Sequence, residues 1–137
     1  MKSYFDSALL VKLYIREGNS EETIELVRSY DPPILFTPLH GTEIKNALRL
    51  KCFRKEITAS ALAQSLKSLE SDLRDGTLER TMVDWVAMFH QADSLSEKYA
   101  LFSNCRTLDI LHVACALLLG SDAFCGGSRS AVGIESN

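Results

Sequence analysis

The sequence predicts an α/β domain built on a small parallel sheet. Three observations carry that expectation. Short apolar or aromatic runs of strand character alternate with longer segments of helical periodicity, the pattern that lays helices across a parallel sheet. Cap and turn residues stand at the breaks between them. The chain has 137 residues, which suits a single domain spanning residues 1–137 and allows burial of roughly two thirds of the unfolded surface.

The elements follow in order. Lys2-Ser3-Tyr4-Phe5-Asp6 reads as a first strand ending at an acid. Leu9, Leu10, Leu13 and Tyr14 then recur at helical spacing and stop near Gly18. Asn19 or Ser20 can cap a second helix, with Glu21 and Glu22 at its positive end and Ile24 and Val27 facing inward. Pro32-Pro33 breaks the chain, and Ile34-Leu35-Phe36 is a compact apolar strand. Thr37 caps the next helix with Pro38 in its first position; Leu39, Ile44, Ala47, Leu48 and Leu50 lie along it. Thr58 starts another, with Leu62, Leu66, Leu69 and Leu73 spaced by four, three and four, and Asp75-Gly76 ends it. Thr77 to Val83 has the mixed character of an edge strand. Asp84 caps a helix running towards Tyr99. Thr107 is expected to cap a nearly all-apolar helix ending at Gly120, and Asp122 to Cys125 reads as a last short strand.

Composition removes several function classes. With 15 basic and 18 acidic residues the formal net charge is −3, so the chain is no globally basic nucleic-acid coat. No apolar run approaches the roughly 18 residues that cross a bilayer. Met1-Lys2-Ser3 leads directly into the first strand pattern, which predicts a cytoplasmic protein without a secretory leader. Cys52, Cys105, Cys115 and Cys125 include no C-x-x-C pair, and reduced thiols within apolar helical patterns are the expected reading.

Three acids stand where chemistry can collect. Asp6 closes the first strand, Glu43 lies in the early turns of the helix after the second, and Asp109 lies in the first turn of the most apolar helix. Ligands of open parallel sheets gather beyond the carboxyl ends of the strands, so the three can converge on one pocket. Clustered carboxylates repel unless they take up protons or a cation, and a hard divalent ion such as Mg²⁺ or Mn²⁺ suits oxygen donors. Each acid also has an ordinary explanation, because helix N-termini attract acids as caps and dipole partners.

Tyr4-Phe5-Asp6-Ser7 followed by Leu10-Val11-Lys12-Leu13-Tyr14 resembles the opening of PIN-domain proteins, the VapC-like toxins of type II toxin–antitoxin systems above all. Thr37-Pro38-Leu39, leading to Glu43 and Asn46-Ala47-Leu48-Arg49, is similar to their second acidic segment. Arg106-Thr107-Leu108-Asp109-Ile110-Leu111-His112-Val113-Ala114 is the most specific match, and Ala116 to Phe124 continues it. The resemblance implies a PIN-like three-layer domain with a small, mostly parallel central sheet flanked by helices. It implies a Mg²⁺- or Mn²⁺-dependent endoribonuclease that cleaves single-stranded RNA, with Asp6, Glu43 and Asp109 as metal-binding and catalytic acids and Ser7 in support. It further implies a homodimer and a cognate antitoxin. The family's fourth acid follows the last short strand in a segment like Phe-x-Thr-x-Asp; here Ser128 stands in that place, after Phe124-Cys125-Gly126-Gly127. The family's closing helix and strand are missing before Asn137, and Ala8 replaces a second small polar residue after Asp6. These departures leave a second expectation open, a degenerate, non-catalytic PIN domain that binds RNA or a protein partner.

Lys45, Arg49, Lys51, Arg54 and Lys55 form the clearest basic cluster. Lys45 and Arg49 share a helix face beyond Glu43 and are the expected RNA-phosphate contacts, against the plain reading of cations near a helix's negative end. His112, three residues after Asp109, reads chiefly as a core histidine, and His40 and His90 as lone histidines. Trp85, Met88 and Phe89 read as core or dimer surface. No Ser-His-Asp arrangement is visible in the sequence.

Overall fold

A computed structural model describes residues 2–15, 25, 33–121 and 123–125. The expected second helix, with Asn19, Ser20, Glu21, Glu22, Ile24 and Val27, lies outside these residues, as do Gly18, Pro32, Asp122, and Ser128 with the rest of residues 126–137.

Four strands of three residues each form one sheet: β1 Ser3–Phe5, β2 Ile34–Phe36, β3 Leu78–Arg80 and β4 Ala123–Cys125. All three pairings are parallel and the spatial order is β3-β2-β1-β4. The expected edge strand within Thr77–Val83 is β3, at one margin. The helices are α1 Ser7–Tyr14, α2 Pro38–Phe53, α3 Ala59–Asp75, α4 Trp85–Tyr99 and α5 Thr107–Leu118.

Strands of three residues make few ladder bonds, so the sheet depends on what covers it. Alternation along each strand sends successive side chains to opposite faces. Phe5, Ile34, Phe36 and Leu78 enter one core with Leu9, Leu10 and Tyr14 of α1, Ile44 and Leu48 of α2, and Leu69 of α3. Leu62, Leu66 and Leu73 pack against the same core, as their spacing predicts. Tyr4 and Leu35 enter the other core with Met88, Ala92 and Leu95 of α4 and the Val113–Ala116 segment of α5. The result is the three-layer architecture expected, with helices on both faces.

The helix starts hold the chain at the sheet's rim. Asp6 caps α1, its Oδ1 accepting from the Leu9 amide at 3.0 Å. Thr58 and Asp84 cap α3 and α4 in the same way, accepting from Ala61 at 3.0 Å and Ala87 at 3.1 Å. Gly76 ends α3 at φ 85°, in the left-handed region where glycine carries no steric cost. One cap differs from expectation. The cap of α5 is Arg106 and Thr107 is its first helical residue. The acceptor comes from inside the helix, where Asp109 Oδ2 takes the Arg106 backbone N–H at 3.3 Å; an arginine side chain has no lone pair to offer.

Candidate functional site

The chain leaves the carboxyl end of β1 at Asp6 and turns at once into α1, which buries the Asp6 and Ser7 side chains at the rim. It leaves β2 at Thr37, and the second turn of α2 brings Glu43 to the same rim. From the other face of the sheet α5 contributes Asp109 and His112, one turn apart. These residues, with Ala8, Arg106, Thr107 and Leu108, line a cavity of about 300 Å³. Residues separated by more than a hundred positions thus share one wall.

Glu43 is the centre of the polar contacts. His112 Nε2 donates to Glu43 Oε1, and the Ser7 hydroxyl donates to the same oxygen at 2.9 Å. On its far side the His112 ring meets the buried Tyr4 hydroxyl, 2.6 Å from Nδ1. Burial pushes the Glu43 carboxyl upward, but the hydrogen bond and charge of His112, together with Ser7, outweigh it and hold the group below its ordinary value. Glu43 is therefore ionised at neutral pH, and Nε2 is a donor towards it. Burial also pushes the Tyr4 phenol far above its ordinary range, so Tyr4 keeps its proton beside the His112 ring.

This grouping of Ser7, His112 and Glu43 is not visible in the sequence, and it does not make a nucleophilic triad. In a triad the carboxylate and the hydroxyl use opposite ring nitrogens. Here Ser7 stands 3.2 Å from Nε2, the nitrogen already committed to Glu43, while Ser7 spends its own proton on the carboxylate. Ser7 orients Glu43.

The other acids have partners too. Asp6 Oδ1 is the α1 cap. Asp109 Oδ2 meets Arg106 Nε at 3.3 Å, in a pair whose arginine is 75% exposed. Pairs of that kind contribute about 0–1 kcal/mol and yield readily to a stronger partner. Among the described residues no three His, Cys, Asp or Glu side chains stand together as a cluster able to enclose a metal ion. The acids line a common cavity without forming a closed cage. The donor chemistry nevertheless suits a hard ion, because Mg²⁺ commonly uses one or two carboxylates and retains several waters. Cys105 precedes α5, and its thiol lies 2.9 Å from the Ser103 hydroxyl.

His112 is a core histidine by burial and a site residue by contact. His40 departs further from expectation, because it is not isolated. It is completely buried, Nε2 stands 2.7 Å from the Phe5 carbonyl, and Nδ1 accepts the Thr37 amide at 3.0 Å. Glutamate or glutamine usually closes this helix-start motif from the third position; Thr37 to His40 has that spacing, and this was the legible signal. Lys45 is half-buried and Arg49 exposed on α2, beyond Glu43, and His90 is exposed on α4. Of the three residues expected in core or dimer surface, Met88 is buried, Trp85 packs at the core margin and Phe89 is exposed.

No protein-family model and no curated protein matches the chain. Among solved structures it is similar to the crystal structure of Mycobacterium tuberculosis VapC20, described as a sarcin–ricin loop cleaving toxin. The TM-score is 0.64 at 16% identity, and the match covers 98% of each chain. The likeness is one of fold, and the fold is the VapC-like, PIN-like architecture that the sequence motifs led us to expect. No helix among the described residues is long and apolar enough to cross a membrane.

Proposed function

We propose that the chain, as a single domain of residues 1–137, is a metal-dependent endoribonuclease that cleaves single-stranded RNA as the toxin of a toxin–antitoxin pair. One observation supports this above the others: Asp6, Glu43 and Asp109, far apart in sequence, line one cavity at the carboxyl rim of a sheet whose fold is shared with a sarcin–ricin loop cleaving toxin. In this reading the three carboxylates supply oxygens to Mg²⁺ or Mn²⁺. The bound ion would lower the pKa of a coordinated water and neutralise charge on the scissile phosphate. Ser7 and His112 hold the Glu43 carboxylate in one orientation while it remains ionised. Arg106, at the cavity's edge, releases Asp109 when a cation competes for it. Lys45 and Arg49 would take the RNA backbone as phosphate contacts without reading bases. The protein would act in the cytoplasm as a homodimer, restrained by an antitoxin whose cationic side chain enters the acidic cavity.

The test is a Mn²⁺ titration followed by a cleavage assay on a mixed RNA pool. Millimolar Mn²⁺ should raise the melting temperature, since an ion that binds only the folded state stabilises it. Asp6→Asn combined with Asp109→Asn should abolish both the rise and the cleavage. Residual cleavage unchanged by that double substitution would refute the reading.

The internal partners already held by all three acids favour a second reading, a non-catalytic module that binds RNA or protein. It predicts RNA retention with no Mn²⁺ effect and no cleavage.

A further inference from the structure

The two segments that lead into the candidate site leave the sheet side by side. Asp6 is the residue after β1, and α2, which carries Glu43, begins two residues after the end of β2. The backbone pairing of β1 with β2 is registered at Ser3↔Ile34, at the amino ends. At the carboxyl ends the two segments are joined by a side chain, that of His40. Its Nε2 lies 2.7 Å from the Phe5 carbonyl, the last peptide oxygen before Asp6. Its Nδ1 lies 3.0 Å from the Thr37 amide and 2.9 Å from the Thr37 hydroxyl.

These partners leave the ring no freedom. A peptide N–H only donates and a carbonyl only accepts, so His40 is neutral, protonated on Nε2 and unable to flip without losing both bonds. Phe36 stacks on it at 5.8 Å, and the rings of Tyr4 and His112 close in at 4.7 Å and 4.9 Å. Burial holds the imidazole unprotonated, with its pKa down to about 3. A single rigid ring therefore spans from the strand end that precedes Asp6 to the cap of the helix that carries Glu43.

We infer that His40 is a positioning residue, tying the Phe5 carbonyl to the Thr37 cap and so setting the separation of Asp6 and Glu43 across the cavity. The inference rests on the proposed nuclease site for its functional meaning. The geometric tie stands apart from it.

Two substitutions separate this role from plain helix capping. Asparagine offers an acceptor near the position of Nδ1 and keeps the Thr37 contact. Glutamine offers an amide N–H near the position of Nε2 and keeps the tie to Phe5. His40→Asn should weaken Mn²⁺ binding and RNA cleavage by about 10- to 100-fold, the usual effect of losing a residue that supports ligands from behind. It should also move the amide resonances of Asp6 and Glu43. His40→Gln should stay within a few-fold of wild type, with those resonances nearly unmoved. Equal behaviour of the two variants, or retained Mn²⁺ affinity and unmoved resonances in His40→Asn, would overturn the inference. If neither variant folds, the wild-type ring decides: protonation at Nε2 with scalar coupling to the Phe5 carbonyl supports the tie, and protonation at Nδ1 refutes it. Wild-type protein that neither binds Mn²⁺ nor cleaves RNA would defeat the nuclease reading, while the Asp6 and Glu43 resonances would still judge His40.

Discussion

A half-buried carboxylate must find donors or take up a proton. Glu43 finds His112 and Ser7, and His112 finds Tyr4, so each member answers for the next. His112→Phe keeps the ring's bulk and removes both of its bonds. Stability should fall by about 1–3 kcal/mol, because the half-buried Glu43 carboxylate and the buried Tyr4 hydroxyl each lose their histidine hydrogen bond; urea unfolding measures this. The Glu43 pKa should rise at the same time, as burial loses its main opponent, and carbon-detected NMR titration reads the shift. His40 sets a pH dependence whose sign is definite. Its folded pKa of about 3 lies below the unfolded value of 6.5, so the unfolded chain binds the proton that the folded chain refuses. Stability from this group is full above pH 6.5 and declines as pH falls towards 3, by roughly 1.4 kcal/mol per unit. Melting curves of wild type and His40→Gln between pH 7 and pH 5 should differ in slope, the variant being flatter. At this scale the sequence was informative about Asp6, Glu43 and Asp109, whose motif spacing marks them. It was silent on Tyr4 and misleading on His40, because both work through partners on other elements.

Each element's ends follow from local chemistry, and that is why they were legible. Thr37-Pro38, Thr58, Asp84 and Gly76 act within one turn of themselves, and all four stand where the sequence sets them. The start of α5 falls one residue before the expected Thr107 cap because its capping acceptor, Asp109, sits three residues inside the helix. Strain marks one further end. Lys55, just beyond α2, has φ 62° and is the one non-glycine residue at positive φ among the described residues. Lys55→Gly should stabilise the protein by about 1 kcal/mol by removing the left-handed penalty. Gly76→Ala should cost about as much at φ 85°; space is open around it, so the loss is conformational alone. Thermal denaturation of both variants tests the pair.

Across the described residues the sheet divides two apolar cores fed by different helices, except that Leu39 at the start of α2 packs on the second core while Ile44 and Leu48 enter the first. Leu48→Ala on α2 and Met88→Ala on α4 should each cost about 2–5 kcal/mol. Their effects should add to within about 0.5 kcal/mol, since the sheet stands between them; a larger coupling in denaturant unfolding would contradict the two-core division. Outside the described residues, Ser128→Asp should raise the cleavage rate if the serine stands where a fourth acid limits turnover. The alternation of strand and helix and the leucine spacing of α3 specified layers and faces, because periodicity is a property of neighbours along the chain. The identity of the three acids came from motifs that are equally local. Their shared cavity, the Glu43–His112–Tyr4 chain and the His40 tie arose when α1, α2 and α5 met at one rim of the sheet. Such contacts join positions up to 108 residues apart, and no local pattern encodes a hydrogen bond whose partner is chosen by packing.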